Sequence, residues 1–519
     1  MKNSLCRFIA LSSAGAVFSL GFAYGQAVGN WPIAHSDAGH SGWQKIEPKI
    51  SKETVPGQFK FLWKMKLGSD TKDASFSEPL LAPRLINAQG FKDIVLWGSA
   101  DTVYAVDYEL EKIVWQKHFD LPASGGGCST SNLRILVEPP HVINFNARRG
   151  PGTLPPAPPP PTPSTSRRLG ESAGGGGFGF RGVYVLTGDG YLHEQILSTG
   201  ADFAPPVKFL PFPPGISNGF NIEGKVLYTA TDQGCGSAAN GLWAIDLGSS
   251  DYPVTSYPTQ AVRPLVSMGP TLGDNVVYLT TGSGAVSSAA DVFPDSILEL
   301  TEKELKVKDW YTPAGNEGKL PNSTPVAFTF KQKKLLAAAG SGGRFVLLDS
   351  ESLGGQDHHT PLFQTPVISK PKSEAWGGMT NWQEADGTSW ILASVAGPLK
   401  TDVKWAASND AAQNGSIVAF KVEEQDGKTV LTPAWSSRDL VNPSPPVVAN
   451  GVVIVLSEGN AKTHARLYVL DADTGKELYT SGDEIATYAK MSGVSVADAH
   501  VFFTTHDGTL YSFGIDIEH

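Results

Sequence analysis

A short pattern of apolar strands recurs along this 519-residue chain, and it limits the possible folds more than any other feature of the sequence. It is clearest near the C-terminus, where two apolar stretches flank the turn Asn450-Gly451 and a further strand ends at Asp471. The same order of strands and turns returns over residues 493–513. A unit of this length forms one four-stranded sheet that cannot bury its own faces. The units must therefore stack, as the blades of a β-propeller do.

We count eight such units from residue 78 to the C-terminus, each with apolar strands separated by Gly, Asn or Asp turns. The last unit lacks a fourth strand, because the chain ends soon after Phe513. Residues 59–67 resemble the Trp-containing last strand of the other units, and pairing them there would remove exposed edges. We therefore predict an all-β fold over residues 26–519. It is a single eight-bladed β-propeller of four-stranded units, closed by an N-terminal strand in the last blade.

One segment conflicts with the repeat, because residues 296–306 (SILELTEKELK) have the composition of a helix. Tertiary context commonly overrides the intrinsic propensity of a short segment. We therefore predict a strand here, as the repeat requires.

The charge content argues against one class of partner. Charged residues make up 18% of the chain, the formal net charge is −10, and Lys and Arg are not clustered. Nucleic-acid binding depends on clustered basic residues, so we predict no nucleic-acid partner.

The first residues have the features of an export signal. Lys2 and Arg7 precede an apolar stretch at 8–22, and Ala23-Tyr24-Gly25 offers a cleavage site between small residues. We predict a signal peptide over 1–25, a periplasmic or extracellular location, and no transmembrane segment after cleavage. An uncleaved membrane anchor is the alternative.

Cleavage would leave two cysteines, Cys128 and Cys235, each beside glycines. Exported proteins fold where disulfides persist, so we predict a Cys128–Cys235 bridge that links the second blade to the third. The alternative is two separate buried thiols.

An insertion interrupts the second unit. Eight of the thirteen residues from 151 to 163 are proline, and residues 174–177 are all glycine. Such a stretch cannot bury enough apolar surface to offset its ordering entropy. We predict a disordered Pro/Gly-rich surface insertion over 150–180.

Two stretches carry a family resemblance: WPIAHSDAGHSG at 31–42 and LYVLDADTGKELY at 467–479. They resemble the pyrroloquinoline-quinone (PQQ) repeat β-propellers of the quinoprotein alcohol dehydrogenase-like superfamily. Weaker copies of the second stretch cover nearly all of the mature chain. The resemblance implies an exported eight-bladed propeller, but it does not fix the function.

The catalytic members of that family imply a definite cofactor set. They hold pyrroloquinoline quinone with a calcium ion on the central axis, between a Trp floor and often a disulfide of adjacent cysteines, with an Asp as base. This chain has no adjacent cysteines and no C-x-x-C-H haem site, and we cannot assign the calcium ligands by motif. We therefore leave the catalytic residues unknown and assign no metal site.

The best candidate for binding a planar cofactor is the stretch from Trp376 to Trp382. First strands of propeller blades line the channel, and Gly377 and Gly378 would let a ligand approach closely. Trp376, Gly377, Gly378 and Trp382 are therefore our predicted cofactor-binding residues, with two rings as a stacking surface. The alternative is that both rings pack between blades.

Two further patterns resemble metal sites. His35 and His40 flank Asp37 in a turn rather than on one helix face, and Asp471-x-Asp473-x-Gly475 lacks the final Glu of a calcium loop. We interpret both as structural turns.

Together these observations favour an exported propeller that binds an unknown small ligand or a protein partner in its central channel. In this it resembles the non-catalytic scaffold that assists β-barrel insertion at the bacterial outer membrane. The alternative is a PQQ- and calcium-dependent dehydrogenase that oxidises an alcohol or sugar. Carbohydrate binding by the tryptophan surface is a third hypothesis.

Overall fold

The structure, a computed structural model, describes thirteen stretches of the chain. They are residues 29–47, 49–67, 76–87, 90–122, 133–138, 168–170, 182–232, 237–284, 292–314, 323–340, 343–369, 377–489 and 493–516. Regular structure in these stretches is almost entirely β, with one α-helical turn at Val55–Gln58 and one 3-10 turn at Gly355–Asp357.

The strands of the described residues form eight sheets. The first strand of each sheet contacts the first strand of the next, and that of the last sheet contacts that of the first. The sheets therefore form a closed ring around a central channel. We number them blades 1 to 8 in chain order and call the first strand of each its inner strand.

Blades 1 to 4 each contain four antiparallel strands, which follow one another from the inner strand outwards. Blade 1 has Leu80–Asn87, Gly90–Gly98, Thr102–Asp107 and Lys112–His118; blade 2 has Arg134–Val137, Gly182–Leu186, Tyr191–Ile196 and Val207–Lys208; blade 3 has Ile216–Glu223, Val226–Asp232, Gly241–Asp246 and Val254–Pro258; blade 4 has Thr271–Gly273, Val276–Thr280, Ile297–Thr301 and Val307–Tyr311.

Blades 5 to 8 have the same antiparallel core. Blade 5 has Val326–Phe330, Lys333–Ala339, Phe345–Asp349 and Phe363–Gln364; blade 6 has Gly377–Gln383, Ser389–Ala396, Gly415–Gln425 and Lys428–Ser436; blade 7 has Val447–Ala449, Val452–Ser457, Arg466–Asp471 and Glu477–Thr480; blade 8 has Ser495–Ala497, His500–Thr504, Thr509–Gly514 and, outermost, Lys60–Lys66.

The predicted eight-bladed ring of four-stranded units needs correction, because the sheets are not equivalent. Seven blades take their four core strands from one stretch of chain each, whereas the eighth combines both ends of the described chain. Blade 6 has six strands and blade 7 has five. Short parallel strands at Ser323–Thr324 and Ala407–Ser408 widen blade 6, and Trp43–Gln44 widens blade 7. These additions pair backbone groups that a four-stranded sheet leaves open at its edges.

The closing strand is confirmed. Lys60–Lys66 pairs antiparallel with Thr509–Gly514, from Lys60 opposite Gly514 to Lys66 opposite Thr509. Trp63 in this strand is buried, and its Nε1 donates to the carbonyl of Tyr108 in blade 1 at 3.1 Å. The strand thus completes blade 8 and also fixes it to blade 1.

The strand predicted within residues 296–306 is also confirmed. Ile297–Thr301 forms the third strand of blade 4, and Ile297, Leu298 and Leu300 are fully buried. Burial of these side chains between blades outweighs the helical propensity of the segment.

A tryptophan on the fourth core strand of blade 6 docks on a turn of the next blade. Trp435 Nε1 of blade 6 donates to Ala472 O in blade 7 at 2.8 Å. Gly475 in that turn has φ +68°, and a Cβ there would overlap the Trp435 ring. Asp471 Oδ1 accepts the backbone N–H of Asp473 at 2.9 Å, which holds the turn. The Asp, Gly and Trp of the repeat therefore join neighbouring blades.

Three residues of the predicted insertion at 150–180 lie within the described structure, and they are anchored. Leu169 is 2% exposed and its N–H donates to the Tyr252 hydroxyl at 2.9 Å. The N–H of Gly170 donates to Glu194 Oε2 at 2.6 Å. The rest of the insertion, the predicted signal peptide at 1–25, and both Cys128 and Cys235 lie outside the described residues.

Candidate functional site

Residues 31–44, which we call the plug, cross the central channel and bond to all eight inner strands. The plug begins at Trp31, which exchanges two backbone hydrogen bonds with Leu81 of blade 1 at 3.0 and 2.9 Å. It ends at Trp43–Gln44, which pairs parallel with the inner strand of blade 7. The Gln44 side chain then reaches blade 8, where its Nε2 donates to Val496 O at 2.8 Å.

Between these ends, plug carbonyl groups accept one hydrogen bond from each remaining blade. The donors are Val137 N to Pro32 O, Asn221 Nδ2 to Ala38 O, Leu272 N to Ala38 O, Ala327 N to Gly39 O and Asn381 N to Ser41 O, at 2.8 to 3.1 Å. The plug therefore satisfies polar groups of the inner strands that would otherwise face the channel unpaired.

Two buried histidines hold the plug in shape. His35 is 2% exposed and His40 is fully buried. His35 Nε2 lies 3.1 Å from the carbonyl of Met379, and His40 Nδ1 lies 3.1 Å from that of Ala34. Burial and the neighbouring His40 lower the pKa of His35 to about 4, and burial also lowers the pKa of His40. Both rings are therefore neutral at pH 7 and donate to backbone carbonyl groups.

Gly42 is the tightest point of the plug. Its φ of +63° is left-handed, and a Cβ would lie 2.5 Å from Thr380 Oγ1 and would overlap the His35 ring. Only glycine meets both demands, since it has no Cβ and accepts positive φ. The sequence WPIAHSDAGHSG at 31–42 thus encodes a backbone path through the channel.

A cavity of about 100 Å³ remains on the channel axis beside the plug. Its floor includes Ala34 and His35 of the plug, and its walls come from the N-terminal ends of the inner strands. Polar residues in these walls include Glu78, Arg134 and Ser267, which come from different blades, and Ser77, whose Oγ accepts from Gly98 N at 2.8 Å. The cavity is therefore a pocket at the end of the channel that the plug leaves open.

Arg134 is the cation of this cavity. Its Nε and Nη2 donate to the carbonyl of Ser217 at 2.9 and 2.5 Å. Burial lowers its pKa to about 10. In the described structure the guanidinium makes no ion pair, so a positive charge lines the cavity without a protein counter-ion.

Glu78 lies where the plug meets the cavity. Its Oε1 accepts hydrogen bonds from Trp31 Nε1 at 2.8 Å and from His35 N at 2.9 Å. Burial raises the pKa of Glu78 to about 7, and these two hydrogen bonds oppose the shift. Because a Cβ on Gly493 would overlap this carboxyl group, the glycine makes room for it.

Ser267 contributes a hydroxyl group to the cavity from the segment that precedes the inner strand of blade 4. Its Oγ is buried and has no hydrogen-bond partner among the described residues. A buried hydroxyl group without a partner is uncommon in folded proteins. The cavity wall therefore holds both a cation and a hydroxyl group with free hydrogen-bonding capacity.

The predicted stacking surface is not assembled at this cavity. Trp382 is 5% exposed and packs with Trp390, 6.1 Å between ring centroids, in the core between blades 6 and 7. Gly378 lies on the blade 6 inner strand with Gly377, and a Cβ on Gly378 would overlap Met268 Cε. Trp382 thus packs between blades, and the predicted binding of a cofactor by these residues stays a prediction. Trp376 lies outside the described residues.

The described residues do not fit calcium and pyrroloquinoline quinone. Calcium takes six to eight oxygen ligands, whereas Glu78 is the one carboxylate found lining the described cavity. In the described ranges no three His, Cys, Asp or Glu side chains come together to hold a metal ion. The volume of about 100 Å³ is also below the roughly 300 Å³ of the smaller ligand pockets. We therefore derive no chemical step through this cofactor.

Sequence reasoning missed the cavity residues, because Glu78, Arg134 and Ser267 belong to no motif and come from separate repeats. A usable signal was present nonetheless. Glu78 and Arg134 are charged residues at the start of the apolar inner strands of blades 1 and 2. A charged side chain at that position of a blade faces the channel, where burying an unpaired charge lowers the stability of the fold. Such a charge therefore points to a binding role.

None of the helices in the described residues has the length and apolar character needed to cross a bilayer. The sequence matches no protein-family profile and no curated protein.

Solved structures, in contrast, match the fold along most of the chain. Quinohemoprotein alcohol dehydrogenase from Comamonas testosteroni is 12% identical, with 94% of this chain and 81% of that chain covered and a TM-score of 0.55. A europium-containing methanol dehydrogenase is 11% identical, with 94% and 98% covered and a TM-score of 0.55. BamB from Moraxella catarrhalis is 14% identical, with 89% and 99% covered, but its TM-score of 0.45 supports no argument. At these identities the likeness to the dehydrogenases shows the β-propeller fold alone.

Proposed function

From the β-propeller fold shared with quinohemoprotein and methanol dehydrogenases, we propose that this chain is an exported binding module. Its recognition site is the central cavity. The observation that carries the proposal is the pairing of a plug bonded to all eight inner strands with a cavity whose Arg134 has no counter-ion among the described residues. At the plugged end of the channel the polar groups bond to one another. At the cavity end Arg134 and Ser267 can still bond to a ligand.

The cavity volume sets the size of the ligand. About 100 Å³ accommodates a small molecule or the tip of a protein side chain, but not a drug-sized ligand. A protein partner would therefore insert one side chain or a chain terminus, and the rest of its surface would lie on the channel mouth. If the protein also helps other proteins to assemble, it would do so by binding them at this site.

A cavity-filling variant tests the site directly. Ala34 lies in the cavity floor, so Ala34→Leu fills the space without changing a charge. Ala461→Leu, at an exposed position remote from the cavity, is the matched control. Saturation-transfer NMR with a library of compounds of up to about ten heavy atoms reports binding to each protein. We expect binders of the unmodified protein to be lost in Ala34→Leu and retained in Ala461→Leu.

A library without binders, or binding that survives Ala34→Leu in a variant with native circular dichroism, would contradict the proposal. Loss of native structure in Ala34→Leu is detected by the same spectrum. In that case Ala34→Val, which adds less volume, replaces it.

The alternative function, a PQQ- and calcium-dependent dehydrogenase acting on an alcohol or sugar, is tested separately. Purified protein is mixed with quinone and calcium, and cofactor absorbance is followed together with dye-linked oxidation of a panel of alcohols and sugars. We expect neither saturable uptake nor turnover. Uptake with turnover would replace the binding module by the oxidoreductase.

A further inference from the structure

Resting on the proposed function, we propose that the ligand of the central cavity is a small carboxylate monoanion. Arg134 binds its carboxylate group and Ser267 binds a polar substituent or the second carboxylate oxygen. The ligand can be a free organic acid or the carboxylate of a peptide C-terminus, which share this chemistry.

The first support is the donor count of Arg134. A guanidinium carries five N–H donors in a planar fork. Two of them, on Nε and Nη2, are used by the carbonyl of Ser217. The other three, at the end of the side chain, have no acceptor among the described residues. An end-on pair of N–H groups matches the two oxygens of a carboxylate.

The second support is the fixed position of that fork. The hydrogen bonds to Ser217 hold one edge of the guanidinium against the backbone of blade 3, while the Arg134 backbone belongs to the inner strand of blade 2. The side chain therefore spans two blades and cannot swing away. Such preorganisation lowers the entropy that a ligand must overcome on binding.

The third support is the charge balance. In the cavity Arg134 contributes one positive charge that no protein group neutralises by direct contact. Both plug histidines are neutral, and burial raises the pKa of Glu78 to about 7, so its protonated form adds no charge to the cavity. A monoanion would restore neutrality in a desolvated site, whereas a dianion such as phosphate would bring a second charge without a partner.

The fourth support is Ser267. Its buried Oγ lacks a partner among the described residues and lines the same cavity, so it can donate to or accept from a ligand. With Arg134 it provides two unsatisfied polar groups from blades 2 and 4. A ligand that bonds to both would give each of these two residues a hydrogen-bond partner in the cavity.

Isothermal titration of the purified protein with acetate, propionate and N-acetylglycine tests the inference. Acetamide and propionamide are neutral controls of the same shape, and sodium phosphate and sulfate are anion controls. The acetylated glycine presents a peptide-like C-terminus and distinguishes that source from free acids. We expect at least one carboxylate to bind, with its amide and both inorganic anions roughly 10- to 100-fold weaker.

Three variants locate the site. Arg134→Gln and Arg134→Lys both remove the planar fork, and Lys keeps the charge, so we expect a loss of roughly tenfold or more in both. Ser267→Ala should weaken binding severalfold. Arg466→Gln, which alters an exposed arginine paired with Asp483, is the matched control and should not change the affinity.

The failures are distinguishable. If neutral compounds bind in an Ala34-dependent manner while no carboxylate does, the inference is wrong and the binding module stands. If carboxylates bind equally to the Arg134 variants, the inference is also wrong. Tighter binding of phosphate than of carboxylates overturns the assigned ligand class. If no compound shows Ala34-dependent binding, both the inference and the proposed function fail.

Discussion

The two ends of the channel use polar groups in opposite ways. At the plugged end, buried polar groups pair with one another: Asn221 Nδ2 donates to Ala38 O and Pro270 O, and both histidines reach backbone carbonyl groups. At the cavity end, Arg134 has no counter-ion and Ser267 has no partner in the described structure. Saturated polar networks rigidify a fold, whereas free ones cost stability unless a ligand completes them. The difference therefore separates the structural part of the channel from the part available for binding.

The largest expected effect comes from breaking the plug at Gly42. Gly42→Ala places a Cβ at a positive φ and against Thr380 and His35, and we expect a loss of about 3–4 kcal/mol. Gly224→Ala is the matched control, because Gly224 has φ +56° and no atom within 4 Å of the added Cβ. It should cost about 1 kcal/mol. Urea denaturation followed by tryptophan fluorescence measures both, and equal losses would show that the plug tolerates displacement.

The next effect comes from pH and concerns Glu78, at the boundary between the two ends. Burial raises its pKa to about 7, above the unfolded value of 4.5, so folding favours the protonated form. Stability should therefore fall by about 3 kcal/mol as pH rises from about 4.5 to about 7, and it should level off above that.

Glu78→Gln sharpens this prediction. Gln keeps an acceptor for Trp31 and His35 but does not titrate, so the variant should be more stable than the unmodified protein at pH 8 and show a flatter pH profile. Glu351→Gln, at an exposed position, is the control. Parallel pH profiles for Glu78→Gln and the unmodified protein would refute the assignment.

A smaller effect is expected from Asn221. Asn221→Leu removes one hydrogen bond to the plug carbonyl of Ala38 and one to the carbonyl of Pro270, and each carbonyl keeps another donor nearby, so we expect a loss of about 2 kcal/mol. Asn218→Leu, on the same inner strand but without such bonds, is the control. If the urea midpoint shifts equally in both variants, the Asn221 side chain does not hold the plug.

The smallest effect has the opposite sign. Arg134→Met removes a buried charge without a counter-ion but also its hydrogen bonds to Ser217, so we expect a gain of about 1 kcal/mol without ligand. Thermal unfolding with and without acetate measures the gain and the loss of binding together. A variant less stable than the unmodified protein would place Arg134 with the structural groups of the plug.

The repeat was sufficient to predict the closing strand at Lys60–Lys66 and the strand at Ile297–Thr301, because both follow from local patterns of apolar residues. The unequal blade widths could not be predicted this way. The added strands, such as Trp43–Gln44, have two residues each and depend on an edge that exists only in the folded ring.

The site was less accessible to sequence reasoning. The Trp382 prediction rested on residue type and proximity to glycine, but the side chain faces the core between blades 6 and 7. Which face of a strand meets the channel depends on register, which a one-residue shift reverses. Arg134 and Ser267 line the same cavity from separate repeats, so no spacing in the sequence links them.

The pairing of Lys60–Lys66 with Thr509–Gly514 also determines when the ring of blades can close during synthesis. The two partners lie more than four hundred positions apart, so an emerging polypeptide cannot shut the ring until its final strands have been synthesised. Contacts this remote in sequence form slowly. A nascent chain therefore stays open at this seam for most of its synthesis.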